Sequence, residues 1–252
     1  MKISIITTTF NSGATVRDTM ESVLSQSYPD FEHIIVDGAS KDNTLDIVRE
    51  LEPRYGGRLK WISERDHGIY DAMNKGIGMA TGDVVGILNS DDFFTGPGIL
   101  SKVAMEFRDD DVDAVYGDIH FVNSDDLSHC VRYYSSSRFA RWQMLFGIQP
   151  AHPSFYCRRS VYSELGAFDI AFPVAADFEH MLRLIYIHRI RTRYIRTDFV
   201  TMRTGGASTN GLRSHLRILR DHYRAYNKHG LVMAQLFDWL RYPVKVMRLI
   251  QH

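Results

Sequence analysis

Four apolar runs of strand length, separated by segments with helical periodicity, fill the first hundred residues, and this alternation restricts the fold more than any other feature. Ile3 to Thr8, Glu32 to Asp37, Leu59 to Ile62 and Asp83 to Leu88 read as strands. Val16 to Gln26, Thr44 to Leu51 and Ile69 to Ala80 carry apolar residues at helical spacing. Strands joined through such helices make right-handed crossovers, and these give a parallel sheet covered on both faces. Ligands of such sheets gather beyond the carboxyl ends of the strands. Three polar clusters fall there: Thr8-Thr9-Phe10-Asn11, Asp37-Gly38-Ala39-Ser40 and Asn89-Ser90-Asp91-Asp92.

The third cluster carries adjacent carboxylates where a buried strand opens at a sheet edge. Mg²⁺ and Mn²⁺ prefer carboxylate oxygens, and a metal held by one or two of them completes its shell with water and substrate phosphates. A phosphate-bearing substrate follows from that reading. Asp91 or Asp92 is equally suited to cap the helix expected after Pro97.

With Asp66-His67-Gly68-Ile69-Tyr70-Asp71-Ala72-Met73-Asn74-Lys75-Gly76 added to these segments, the chain resembles family 2 glycosyltransferases of the GT-A fold. The likeness is to bacterial members that build exopolysaccharide or lipopolysaccharide, and it runs in order from residue 1 to about 210. It implies an α/β, Rossmann-like mixed sheet, mostly parallel and flanked by helices. Residues 1–210 would form the catalytic domain, with 1–100 binding the nucleotide sugar and 101–210 the acceptor. Residues 211–252 would be a basic helical extension.

The resemblance also assigns roles. Thr8, Thr9 and Asn11 would run along base and ribose. Asp37 would accept the imide N–H of a uracil-like base, a bond strengthened by its charge. Asp66, Asp71 and Asn74 would border ribose and diphosphate, although Asp66-His67-Gly68 is also ordinary turn chemistry ahead of a capped helix. The family's metal motif is Asp-x-Asp, whereas here Asn89 stands first, so Asn89 and Ser90 would touch the donor while Asp91, with Asp92 behind it, would hold Mn²⁺ or Mg²⁺. His152 resembles a residue lining the sugar pocket. In Ala176-Asp177-Phe178-Glu179 the family's Glu-Asp pair has lost its first member, leaving Asp177 as the base that takes the acceptor's proton. Asp177 also reads as a helix N-cap, and Glu179 is the reserve candidate.

The expected activity is metal-dependent, inverting transfer from a UDP-sugar to a saccharide or lipid-linked saccharide. A non-catalytic nucleotide-sugar-binding module would keep Asp37 and Asp91 without needing Asp177. A sugar nucleotidyltransferase would need a glycine- and cation-rich triphosphate loop after the first strand, where this chain has Thr9 to Thr15.

Composition sets the outer limits. A chain of 252 residues, 44% of them hydrophobic, buries a sizeable core. Cys130 and Cys157 form no metal-binding spacing, and Met1-Lys2 runs straight into a strand without the apolar length of a secretory signal, so the expected compartment is the cytosol. Residues 1–182 hold 16 Lys+Arg against 27 Asp+Glu, and residues 183–252 hold 14 against 3. That late basic segment contains Arg213, Arg217, Arg220 and Arg224 at helical spacing, followed by an apolar and cationic stretch from 231 to 252. An interfacial helix on an anionic membrane surface fits it, with packing on the core or on a second subunit as the alternatives. The acidic first part argues against nucleic acid.

Overall fold

The computed structural model describes residues 1–205 and 211–234. Strand β1 (Ile3–Thr9), helix α1 (Val16–Leu24), β2 (Phe31–Asp37), α2 (Thr44–Leu51), β3 (Leu59–Ser63), α3 (Ile69–Met79) and β4 (Val84–Ile87) follow the expected alternation to within two residues at each end. Then come β5 (Phe93–Phe94), α4 (Ile99–Glu106), β6 (Ala114–Asn123), β7 (Asp126–Tyr134), β8 (Tyr156–Arg158), α5 (Arg159–Leu165), α6 (Ala176–Met181), β9 (Thr192–Arg203) and α7 (Gly211–Lys228). A π-helical turn, Leu182–Ile187, continues α6.

The sheet order is β3-β2-β1-β4-β8-β6-β9-β5, with β7 beside β6. Strands β1 to β4 are parallel, β8 runs antiparallel to both its neighbours, and β6 and β9 are parallel again. Every residue of β1 and β2 is buried, as expected for strands covered on both faces. Ile6, Ile34 and Ile87 point into one core with Met73 and Phe178. Ile3, Ile5 and Ile35 point into the other, against Val16, Met20 and Val23 of α1, which recur at helical spacing. Burying each such side chain contributes roughly 1.5–3 kcal/mol. At the centre, Gly86 of β4 lets the Tyr156 ring of β8 lie on the strand, since a Cβ there would sit 2.2 Å from that ring.

Strand order reverses between β1 and β4: β1, β2 and β3 progress in one direction, and β4 returns to the free edge of β1. The crevice at such a switch point is where doubly wound sheets hold ligands, and here it lies between Thr9 and Leu88.

The late arginines are less separate than their sequence suggests. Arg191 pairs with Asp111 and Asp113, Arg193 with Glu106 and Asp109, and Arg203 with Asp18. Helix α7 buries Ala225 and Tyr226 in the core around Phe178, while Leu216, Arg217, Arg220 and Tyr223 face outward. The side chain of Arg213 and the stretch 235–252 lie outside the described residues. Among the described residues no helix is long and apolar enough to cross a membrane.

Candidate active site

At the end of β2, Asp37 is fully buried. Its Oδ1 accepts the hydroxyls of Thr9 (2.8 Å) and Ser40 (2.5 Å), and its Oδ2 accepts the Ser40 amide (2.9 Å) and the Ser63 hydroxyl (2.7 Å). Burial pushes its pKa up, but the hydroxyls of Ser40 and Ser63 outweigh that and hold it below the usual carboxylate range. Four donors occupy the lone pairs of both oxygens. Direct contact between Asp37 and a base, expected from the resemblance, therefore gives way to a supporting role, in which the carboxylate ties the ends of β1, β2 and β3 together.

The two loops above it are laced to each other. The Asn11 amide donates to Ser40 Oγ (2.8 Å), and the Lys41 amide donates to Asn11 Oδ1 (2.9 Å). Thr8 is buried one residue before Thr9. Asn11 and Ala39 take left-handed backbone at φ 50° and 63°. Such geometry in non-glycine residues concentrates at ligand sites.

Phe10, Gly38, Ala39, Lys41, Arg65, Asp66 and Gly68 line an open cavity of about 510 Å³. Gly38 leaves that corner to the Asp66 carboxylate, because a Cβ would come within 2.6 Å of Asp66 Oδ2 and 3.3 Å of the Phe10 ring and displace it. Phe10 is 66% exposed, an apolar face presented to the cleft. Asp66 also accepts the Gly68 amide (2.9 Å) and Asp71 accepts the His67 amide (3.0 Å), so the turn chemistry and the cleft position coexist. Asn74 differs from expectation. Its amide donates to the Phe168 carbonyl (2.8 Å) and accepts the Phe168 N–H (3.0 Å), which commits it to holding the segment after α5.

At the end of β4, the backbone of Asn89 to Asp92 is clamped from several sides. Thr7 donates to the Leu88 carbonyl, Thr19 to that of Asp92 and Arg203 to that of Asp91, while Ser90 Oγ lies 2.8 Å from Ser12 Oγ. The adjacent carboxylates then part company. Asp91 is partly exposed, and among the described residues its carboxylate receives no hydrogen bond. Asp92 is fully buried; Asn89 donates to its Oδ2 (3.1 Å), and among the described residues Oδ1 has no partner. Burial, with the Asp91 charge adding to it, pushes the Asp92 pKa well up. Asp92 thus sits inside the fold, whereas Asp91 is the more open of the two carboxylates. No three of the described His, Cys, Asp and Glu residues form a metal-holding group. One open carboxylate, Asp91, fits a cation whose remaining ligands are water and diphosphate oxygens.

Across the cleft, Asp177 occupies the first turn of α6 but caps nothing, since Ala175 is the N-cap. Tyr70 of α3 donates to its Oδ1 (3.0 Å), Gln149 donates to its Oδ2 (2.9 Å), and His152 Nδ1 lies 3.8 Å from Oδ2. Nε2 of the same ring is 3.2 Å from Asn89 Nδ2. An amide N–H pointing at Nε2 requires a lone pair there and leaves the ring proton on Nδ1, facing Asp177. Burial pushes the His152 pKa down against the pull of Asp177 and Asp91, in keeping with a neutral ring.

Glu179, the reserve candidate, faces the opposite way. It is fully buried among Arg183, Lys228 and His229, which hold its pKa far below the usual range despite burial. It fastens α6 to the end of α7.

Thus Asn89, Asp91, His152 and Asp177 converge, and Thr9, Asn11, Asp37 and Asp66 form a neighbouring group. Tyr70 and Gln149 flank Asp177, and Phe10 lines the cavity beside Asp66. Phe10 and Tyr70 lie inside the motifs that carry the resemblance and Gln149 stands three residues before His152, where an exposed aromatic, a phenol and an amide were the available signals.

The sequence matches the family described as "Glycosyl transferase family 2" over residues 4–165. The chain belongs to that family. It is 30% identical over 208 residues to the PGL/p-HBAD biosynthesis glycosyltransferase of Mycobacterium bovis, covering 82% of this chain and 78% of that one. An uncharacterised glycosyltransferase of Mycobacterium tuberculosis is 30% identical over 233 residues, covering 89% and 85%. Among solved structures, TarS 1–349 of S. aureus has a TM-score of 0.70 at 18% identity, covering 94% of this chain and 71% of that one. A longer TarS chain is covered over 39% of its length. The mannosyltransferase PcManGT from Pyrobaculum calidifontis, in complex with GDP-Man and Mn²⁺, has a TM-score of 0.69 at 19% identity, covering 92% and 68%. These likenesses establish the GT-A fold for this family 2 glycosyltransferase.

Proposed function

We propose that this glycosyltransferase moves a sugar from a UDP-sugar, with inversion and with a divalent cation, to a saccharide or lipid-linked saccharide in cell-surface polysaccharide synthesis. The observation that carries the reading is the link across the cleft: Asn89 beside Asp91 on one side and Asp177 on the other meet at one histidine. An inverting transfer needs the leaving group and the base on opposite sides of the anomeric carbon, and this arrangement supports that disposition.

Phe10 offers a stacking face to the base, and Gly38 lets Asp66 reach the rim beside it. Asp91 would hold Mn²⁺ or Mg²⁺, whose charge offsets that developing on the departing nucleoside diphosphate. Asp177 accepts the acceptor hydroxyl's proton, Gln149 and Tyr70 fix the carboxylate, and the neutral His152 keeps its Nδ1 proton towards it. The UDP preference draws on the TarS complexes with UDP and UDP-GlcNAc, and the metal on the Mn²⁺ complex of the mannosyltransferase. The outward Leu216, Arg217, Arg220 and Tyr223 of α7 support peripheral contact with an anionic membrane face.

Thermal stabilisation tests the reading. UDP with Mn²⁺ should raise Tm more than UDP alone and more than GDP with Mn²⁺. Asp91→Ala should remove the Mn²⁺ increment while keeping its own Tm. An unchanged increment in that variant would take Asp91 out of the metal site, and a larger response to GDP would replace the donor.

A further inference from the structure

Tyr70 sits between two acceptors. Its hydroxyl lies 2.9 Å from the Val174 carbonyl oxygen and 3.0 Å from Oδ1 of Asp177. A phenol has one proton and so serves one of them at a time. Burial, reinforced by the Asp177 charge, pushes the Tyr70 pKa well up, so that proton stays on.

The competing acceptor is itself prepared. The Val174 carbonyl and the Ala175 N–H belong to one peptide unit, and that N–H donates to Oδ2 of Asp221 at 3.2 Å. The Val174 N–H donates to the same oxygen at 3.0 Å. Asp221 comes from α7 and is buried, with Arg224 3.6 Å away. A charged acceptor on the N–H side of a peptide polarises it and strengthens its carbonyl as an acceptor.

We propose that Tyr70, the Val174–Ala175 peptide and Asp221 form a two-position hydrogen-bond relay that serves Asp177 before and after it takes the acceptor's proton. The proposal rests on the reading of Asp177 as the base. Before transfer, Tyr70 donates to the ionised Oδ1. During transfer the acceptor oxygen bonds the anomeric carbon, the bond to the diphosphate breaks with its electrons on the leaving group, and the acceptor's proton passes to Oδ1. The new Asp177 O–H then needs an acceptor. Tyr70 Oη supplies it once its own proton turns to Val174 O, where Asp221 has fixed the carbonyl. Gln149 holds Oδ2 throughout. In each state the Tyr70 proton and the Asp177 carboxyl both have partners, so proton transfer proceeds without rebuilding the site. Tyr70 and Asp221 are positioning residues, acting through Asp177.

The test is kinetic. Tyr70→Phe, which removes only the hydroxyl, should lower kcat roughly tenfold or more with the donor KM unchanged. Asp221→Ala should do likewise, and Asp221→Asn, whose amide oxygen still accepts both N–H groups, should recover most of the loss. Because both act on one proton position, Tyr70→Phe combined with Asp221→Ala should be no slower than Tyr70→Phe alone. Full kcat in Tyr70→Phe, or losses that multiply in the double variant, would overturn the relay. In an Asp177→Asn background, Tyr70→Phe should add no further loss. A fully active Asp177→Asn would instead remove the base reading itself, a result separable from the first two.

Discussion

The proposed donor side of the cleft is built from loops that directly follow their strands, whereas the proposed acceptor side is assembled from segments far apart in the chain. Asp37 is held by Ser40, three residues on, and by Thr9 and Ser63 of adjacent strands. Asp177 is held by Tyr70, 107 residues earlier, and by Gln149 from a loop that α7 grips through Tyr226. The difference teaches that a donor-side change acts mainly on affinity at its own contact, while an acceptor-side change can act through helix placement.

Asp177→Asn should break the acceptor side with the largest effect. It keeps the shape and takes away the base, so transfer should fall by roughly 10²-fold or more while nucleotide binding survives. Full turnover in a coupled assay would reassign the base. Two residues on, Glu179→Ala should cost stability, about 3 kcal/mol, at the low end for a broken buried pair because Lys228 reaches water. Its nucleotide affinity should stay unchanged. Glu179 is held below its ordinary pKa of 4.5, so its contribution is complete above that value and is lost as pH falls below it. Urea midpoints of wild type and variant should accordingly converge in acid, and parallel midpoints across that range would contradict the ion cluster.

On the donor side, Phe10→Ala should weaken UDP binding by roughly 1–3 kcal/mol, the usual worth of an aromatic stack on a base. Calorimetry giving wild-type affinity would leave the base elsewhere in the cavity. The smallest expected change concerns the terminus. Removing residues 231–252 should release the protein from anionic vesicles while sparing donor binding, and intact protein should sediment with them less at high salt. Vesicle binding indifferent to both the deletion and the salt would end the membrane reading.

The same contrast governs what could be read in the chain. Strands β1 to β4 and their helices announce themselves through local period, so the rim and its three clusters were legible. Asp91 and Asp92 are neighbours with the same chemistry, and only the fold separates an open carboxylate from a buried one. Asp177 and Glu179 diverge likewise, since a helix turns residues two apart to different sides. Asn74 carries no local sign that it binds Phe168. Nor does Asp221, whose partners are backbone amides 46 and 47 residues away.

Helix α7 has a consequence for how the enzyme is made. It is the last described helix, and it supplies Asp221 to the peptide before Asp177, Tyr226 to the Gln149 loop, and Lys228 to Glu179. Chains emerge from the ribosome amino end first. The segments that line the cavity between Phe10 and Gly68 are therefore made long before the helix that fixes the surroundings of Asp177.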